Sequence, residues 1–186
     1  MKKIPRSYEE KDIYTIWEHY EDKRNALRYF RDNILASFQN NTSPLSNKFQ
    51  GYTREEVNTY FNKVETELKL LICFDILSAT EASLRMDAYI RAINKEKTEI
   101  GKIFRKIHTE KENHLSLEQD IIDQWKDTIS EDREKKESFS AFLGALNLRN
   151  WLAHGRYWEA KFGRNYDPGI TIKIAENVLN IISNYP

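Results

Sequence analysis

Apolar residues recur along this chain every three or four positions over long stretches. That spacing places them on one face of an α-helix and not alternately on the two faces of a strand. Tyr14, Trp17, Tyr20, Leu27, Phe30, Ile34, Leu35 and Phe38 predict a first helix from about Ser7 to Gln39, with Ser7 and Glu10 spaced as a capping box. Asn40-Asn41-Thr42-Ser43-Pro44 ends it, and 40–52 reads as a loop carrying Leu45, Phe49 and Tyr52 as isolated apolar beads. Thr53-Arg54-Glu55-Glu56 is a second capping box. The helix it opens is predicted to reach about Asn94, striped by Val57, Phe61, Val64, Leu68, Leu71, Ile72, Ile76 and Leu77. So long a helix is unusual in a globular chain, and a bend is expected near Ser78-Ala79-Thr80.

The charged segment 95–115 carries Ile100, Ile103, Phe104 and Ile107 as an apolar face. Ser116, with Gln119 three residues on, introduces a helix through Ile121, Ile122, Trp125 and Ile129. The charge run Glu131–Glu137 reads as a solvated helix face or linker, with Ser138 or Ser140 starting the next helix and Gly155 ending it in a left-handed cap. Asp167-Pro168 fits a helix start, and the last helix is predicted to bury Ile170, Ile174, Val178, Leu179 and Ile182. The sum is an all-α, up-and-down bundle of five to six helices, several of them long. It is expected to form one domain over 1–186, with its core at about 53–183, an N-terminal helix within 1–40 and a loop at 41–52. The 6 Gly and 4 Pro, few breakers for 186 residues, fit long helices.

Lys and Arg number 29, as do Asp and Glu, so the formal net charge is zero. A protein that coats nucleic acid through bulk charge is therefore disfavoured, and any RNA contact must be local. The segment 149–164 offers one, with Arg149, Arg156, Lys161 and Arg164 against Glu159; its plain reading is a solvated helix end. The single cysteine, Cys73, excludes a disulfide within the chain and a cysteine zinc cluster, and reads as a small buried hydrophobe. MKKIPRSYEEKD has no apolar run after its lysines, and the longest apolar run is broken by Lys69 and Asp75. Neither a secretory signal nor a membrane span is expected, and the cytoplasm is the expected compartment.

Candidate chemistry lies on the helix that Gly155 ends. Arg149, Asn150 and His154 are polar positions on an otherwise core-seeking helix. Asn150 and His154 fall about 40° apart on a helix and share a face, whereas Arg149 and His154 fall about 140° apart. A guanidinium reads a phosphate with paired donors, and an imidazole moves protons near neutral pH. His154 could act as general acid or base, Arg149 could stabilise charge on phosphorus, and Asn150 could position phosphate or imidazole. No metal or other cofactor is called for. A histidine near a helix C-terminus also often only caps carbonyls, and Arg-x4-His recurs by chance in helical proteins. Arg156 and Lys161 are candidate RNA contacts, and Trp158 reads either as a base-stacking residue or as core. Glu81 and Arg85, at i,i+4, read either as support for the site or as a surface pair.

The run Leu148-Arg149-Asn150-Trp151-Leu152-Ala153-His154-Gly155-Arg156 resembles the signature of the HEPN superfamily, Arg followed four to six residues later by His, often with Asn directly after the Arg. Ala79-Thr80-Glu81-Ala82-Ser83-Leu84-Arg85-Met86-Asp87 resembles the polar helix preceding that motif in several subgroups, including one associated with RNase LS and PSP partners, and Asp167 is similar to a residue in the turn after the motif. The resemblance covers about 76–182 and is architectural elsewhere. It implies a small all-α dimer and a metal-independent endoribonuclease with Arg149, Asn150 and His154 as its site and Glu81 and Arg85 bracing it. It also implies a toxin or anti-phage effector, with an antitoxin or defence-system protein as partner. Some family members instead keep the bundle as a silent dimerisation or nucleotide-binding module.

Overall fold

The computed structural model describes residues 11–40, 42–111 and 114–185. These are all-helical, with no strand among them. Six α-helices follow in order: α1 (Ile13–Gln39), α2 (Arg54–Ile93), α3 (Glu99–Lys111), α4 (Asp123–Thr128), α5 (Arg133–Ala153) and α6 (Pro168–Ser183). The capping box expected at Ser7 and Glu10 lies outside the described residues. The chain separates into two compact units, Tyr14–Ile72 and the remainder, and the division falls inside α2.

In Tyr14–Ile72 the core is Ile34, Phe49, Val57 and Phe61, with Leu27, Leu35, Phe38 and Tyr60 packed against it. Phe49 departs from expectation: it is only 1% exposed. A short 3-10 turn, Asn47–Phe49, delivers it into a ring cluster, 5.4 Å from Tyr60, 5.5 Å from Tyr52 and 5.7 Å from Phe61. Edge-on pairs, as with Tyr60 and Tyr52, and a stacked pair, as with Phe61, add to the area they bury. The capping box that opens α2 is formed as expected. Thr53 N–H donates to Glu56 Oε2 at 2.7 Å, and Glu56 N–H donates to Thr53 Oγ1 at 3.2 Å. The helix then runs unbroken through Ser78-Ala79-Thr80.

In the second unit α2 ends with Lys95 in the left-handed region at φ 53°. Glu96 N–H returns to the Arg91 carbonyl at 3.3 Å, and Lys95 N–H to that of Ala92 at 3.4 Å. This paired closure satisfies the last carbonyls of the helix. Gly101 lets α3 lie against the turn, since a Cβ there would stand 2.7 Å from Glu96 Cβ. Ser116 Oγ accepts from Gln119 N–H at 3.3 Å as the sequence predicts, but the first turn, Leu117–Ile122, is a wider π-turn that leads into α4. Asp120 pins this entry, accepting from Lys111 Nζ at 2.7 Å and from Ser116 N–H at 2.8 Å. Burial alone would raise its carboxyl pKa, but those donors hold it below the ordinary value.

Helix α5 starts earlier than expected. Asp132 is its cap, accepting from Lys135 N–H at 3.1 Å, so the charge run is the first turns of α5 and not a linker. Helix α6 starts as expected, with Asp167 Oδ1 accepting from Ile170 N–H at 2.8 Å. Ile174, Val178 and Ile182 are buried; Ile170 is 37% exposed, Leu179 is half-buried, and Thr171, Ile172 and Ala175 face the interior instead. The Thr171 hydroxyl contacts Cys73 Sγ at 3.3 Å, and burial pushes that thiol up to about 11.

Two buried side chains join these helices. Trp125 of α4 is fully buried, stacked on Phe139 at 6.2 Å and edge-on to Tyr185 at 5.1 Å. Arg91 of α2, with a side chain only 8% exposed, lies 5.2 Å from the Trp125 ring. Its guanidinium donates to Asp87 at 2.9 Å, to Glu96 at 3.0 Å and to the Ile182 carbonyl at 2.8 Å. Removing it would leave two carboxylates partly buried without their countercharge. We therefore expect Arg91→Ala to cost about 3–5 kcal/mol in urea unfolding; a loss under about 1 kcal/mol would show that the hub contributes little.

Burial pushes the Asp87 carboxyl up to about 6, although the Arg91 guanidinium opposes the shift. Its Oδ2 is buried without a hydrogen-bond partner among the described residues. Between its ordinary value of 3.8 and about 6, the folded chain binds more of this proton than the unfolded chain does, so its contribution to stability falls as pH rises and is level above that window. The unfolding free energy of the wild type minus that of Asp87→Asn should accordingly drop, by an amount on the order of 2–3 kcal/mol, from pH 4 to pH 7. A flat or rising difference curve would contradict this.

Candidate functional site

The end of α5 is shaped by its last turn. Arg156 N–H donates to the Trp151 carbonyl at 3.0 Å and Gly155 N–H to that of Leu152 at 3.3 Å, with Gly155 at φ 78° and Arg156 at φ 61°. This is the paired glycine closure expected from the sequence, and it makes His154 the last helical cap, at φ −94°. The Arg156 guanidinium lies over the Trp151 ring at 5.6 Å, which supplies the apolar contact such closures carry. Arg156, expected to touch RNA, thus braces the turn.

The chain then folds back on α5. Trp151 Nε1 donates to the Trp158 carbonyl at 2.9 Å, and the Trp151 ring meets Phe162 edge-on at 5.5 Å. Phe162 in turn lies 6.3 Å from Tyr166. Gly144 makes room for the Tyr166 hydroxyl, which would stand 3.2 Å from a Cβ at that position. Burial raises the Tyr166 pKa, with the Arg164 charge opposing. The 155–167 loop is therefore held by aromatic contacts to one side of α5.

Two groupings of the expected residues result. The first is a charged chain. Arg149 Nη2 meets Glu81 Oε2 at 2.8 Å, and Arg85 Nε donates to Glu81 Oε1 at 2.9 Å. Arg85 Nη1 also donates to the Leu115 carbonyl at 2.9 Å. Glu81, its side chain 14% exposed, thus sits between two arginines and ties α2 to α5. Asn150 Oδ1 accepts from Arg149 Nη1 at 3.1 Å, so the carboxamide steadies the guanidinium. Arg149 Nε is buried without a hydrogen-bond partner among the described residues.

The second grouping is exposed and aromatic. The His154 ring lies 6.1 Å from Trp158, tilted by 43°. Tyr157 stands edge-on to Trp158 at 4.7 Å and is 82% exposed. Trp158, 38% exposed, is not core; Tyr157 was missed in the sequence, where its only signal is its place after Gly155-Arg156. Lys161 is exposed and meets Glu159 at 3.4 Å. Among the described residues no hydrogen bond joins His154 to Arg149 or to the Asn150 side chain; Asn150 meets His154 through the backbone, His154 N–H donating to its carbonyl at 3.0 Å.

Within one chain the arrangement offers a braced, partly satisfied guanidinium and, separately, a solvent-facing imidazole flanked by aromatic faces. Among the described residues no group of three or more His, Cys, Asp or Glu is placed to hold a metal ion, and no helix is long and apolar enough to cross a membrane. Comparison of the chain with protein-family models, curated proteins and solved structures finds no match.

Proposed function

We propose that the chain is a metal-independent endoribonuclease of the HEPN type, acting as a homodimer in which the α5 ends of two copies share one site. The observation that carries this reading is the solvent-facing imidazole of His154, fixed at the α5 cap beside the exposed rings of Tyr157 and Trp158 and on the same helix as a braced Arg149. One His154 takes the proton of the RNA 2′-hydroxyl. The 2′-oxygen attacks phosphorus, the bond to the 5′-oxygen breaks, and the second His154 returns a proton to that oxygen. The products are a 2′,3′-cyclic phosphate and a 5′-hydroxyl. Arg149 stabilises charge on the phosphoryl oxygens, Asn150 and Glu81 orient it, and Arg85 holds Glu81. Tyr157 and Trp158 present faces on which unpaired bases stack, with Lys161 near the backbone. A toxin or anti-phage role, with an antitoxin or defence protein as partner, rests on the resemblance alone.

One observation favours a second reading, a silent dimerisation or nucleotide-binding module: Glu81 and Asn150 already occupy both terminal nitrogens of Arg149. Incubation of total RNA with excess chelator separates the two. On the cleavage reading the wild type yields cyclic-phosphate ends, and His154→Ala and Arg149→Ala each slow their appearance by about a hundredfold or more. Wild-type protein that binds RNA or nucleotide yet cuts nothing would establish the silent module.

A further inference from the structure

In Tyr14–Ile72 an open apolar groove of about 610 Å³ runs between α1 and the first part of α2. Leu27 and Phe30 line its α1 wall and Leu68 and Leu71 its α2 wall; Lys23 stands on the α1 side and Glu67 on the α2 side. Phe30 is 38% and Leu71 56% exposed. Two helices make one layer, and an apolar face of that layer needs a second layer to cover it.

The register of the two helices is fixed by their contacts. Ile34 clusters with Val57 and Phe61, Phe30 lies 5.7 Å from Phe61, and the charges of Arg28 and Arg24 reach Glu65. The helices therefore run antiparallel, and position 23 faces position 68. Glu67 is one residue away, about 1.5 Å along the axis. Opposite charges thus stand at one level on opposite walls.

We propose that the groove is closed by the same groove of a second copy, giving a four-helix contact in which each α1 lies on the α2 of the other chain. A symmetric contact between identical faces can be built in two ways. A twofold axis across the helices, centred on the groove, would stack Lys23 on Lys23 and Glu67 on Glu67. An axis parallel to the helices places each Lys23 over Glu67 of the second copy, twice, while neighbouring helices are antiparallel in both arrangements. The charge pattern selects the second arrangement, and Leu27, Phe30, Leu68 and Leu71 of the two copies fill its centre as in other four-helix bundles. Glu67 has a partner within its own chain and shares or exchanges it on assembly. The contact uses only Tyr14–Ile72 and stands independently of the cleavage reading.

Sedimentation of the full-length chain over a wide concentration range tests it. The expected result is reversible association through this face, a two-chain species where the α5 ends stay apart and a four-chain one where they pair as well. Leu71→Glu should weaken it by about thirtyfold or more, and the helical signal should persist because Leu71 is exposed in the single chain. Lys23→Glu and Glu67→Lys should each weaken it by about tenfold, and the two together should restore it, since reversing both charges recreates the pairs. A single-chain mass at every concentration overturns the proposal and leaves the groove to a helix of another protein. A dimer indifferent to Leu71→Glu, or a double reversal no better than either single one, overturns it as well.

Discussion

The unit that carries the candidate site depends on one buried cation. Arg91 comes from the last turn of α2 and is spent entirely on the protein: its guanidinium binds Asp87 one turn back, Glu96 in the turn to α3, and the carbonyl of Ile182 near the end of α6, with the Trp125 ring of α4 alongside. A planar fork of donors suits this junction of three elements better than an ammonium would. Asp87 is buried beside it, and that burial holds the Asp87 proton to a higher pH although the Arg91 guanidinium opposes the shift. The hub fixes the end of α6, and α6 is the helix that packs most extensively on α5. The Arg91 contact with Ile182 joins the C-terminal ends of α2 and α6.

A second cation, Arg149, is treated differently. It too is tied by a carboxylate, but Glu81 is shared with Arg85, and the Arg149 side chain keeps 30% of its exposure. A carboxylate between two guanidiniums leaves one net positive charge, so a phosphate approaching Arg149 meets attraction from the cluster as well as competition from Glu81. Arg91 has no such surplus: two carboxylates and two carbonyls surround it. The contrast explains why one arginine reads as scaffold and the other as a candidate for binding, although both sit in helices among carboxylates.

What was legible in the sequence is what short-range physics decides. The caps at Thr53, Ser116 and Asp167 and the closure at Gly155 each depend on residues within five positions, and all four formed as read. The Glu81–Arg85 pair is likewise local. The start of α5 was placed too late, at Ser138 or Ser140, because a charge run reads as a helix face or as a linker alike unless Asp132 is recognised as a cap. Phe49 looked like an isolated bead because its partners on α1 and α2 are far away in sequence. Arg91 gave no sign of its role, since its α6 partners are some ninety residues away. The link from Glu81 to Arg149 spans two helices and could be guessed only through the resemblance.

The same distinction between local and distant constraint bears on the site. The Arg149–Asn150–His154 spacing is a local fact, and on the helix it separates guanidinium from imidazole by more than a quarter turn. The fold does not undo this: Arg149 turns to Glu81 on α2, while His154 turns to Trp158 on the returning loop. Proton transfer at a phosphodiester needs an acid and a base on opposite sides of phosphorus, and each chain supplies one imidazole in this motif. A site assembled from two α5 ends removes both difficulties at once, because each guanidinium then needs to reach only the phosphate and not its own histidine. The cleavage reading therefore demands a second copy for chemical reasons, quite apart from the apolar groove of Tyr14–Ile72, which calls for one to cover exposed Leu and Phe side chains.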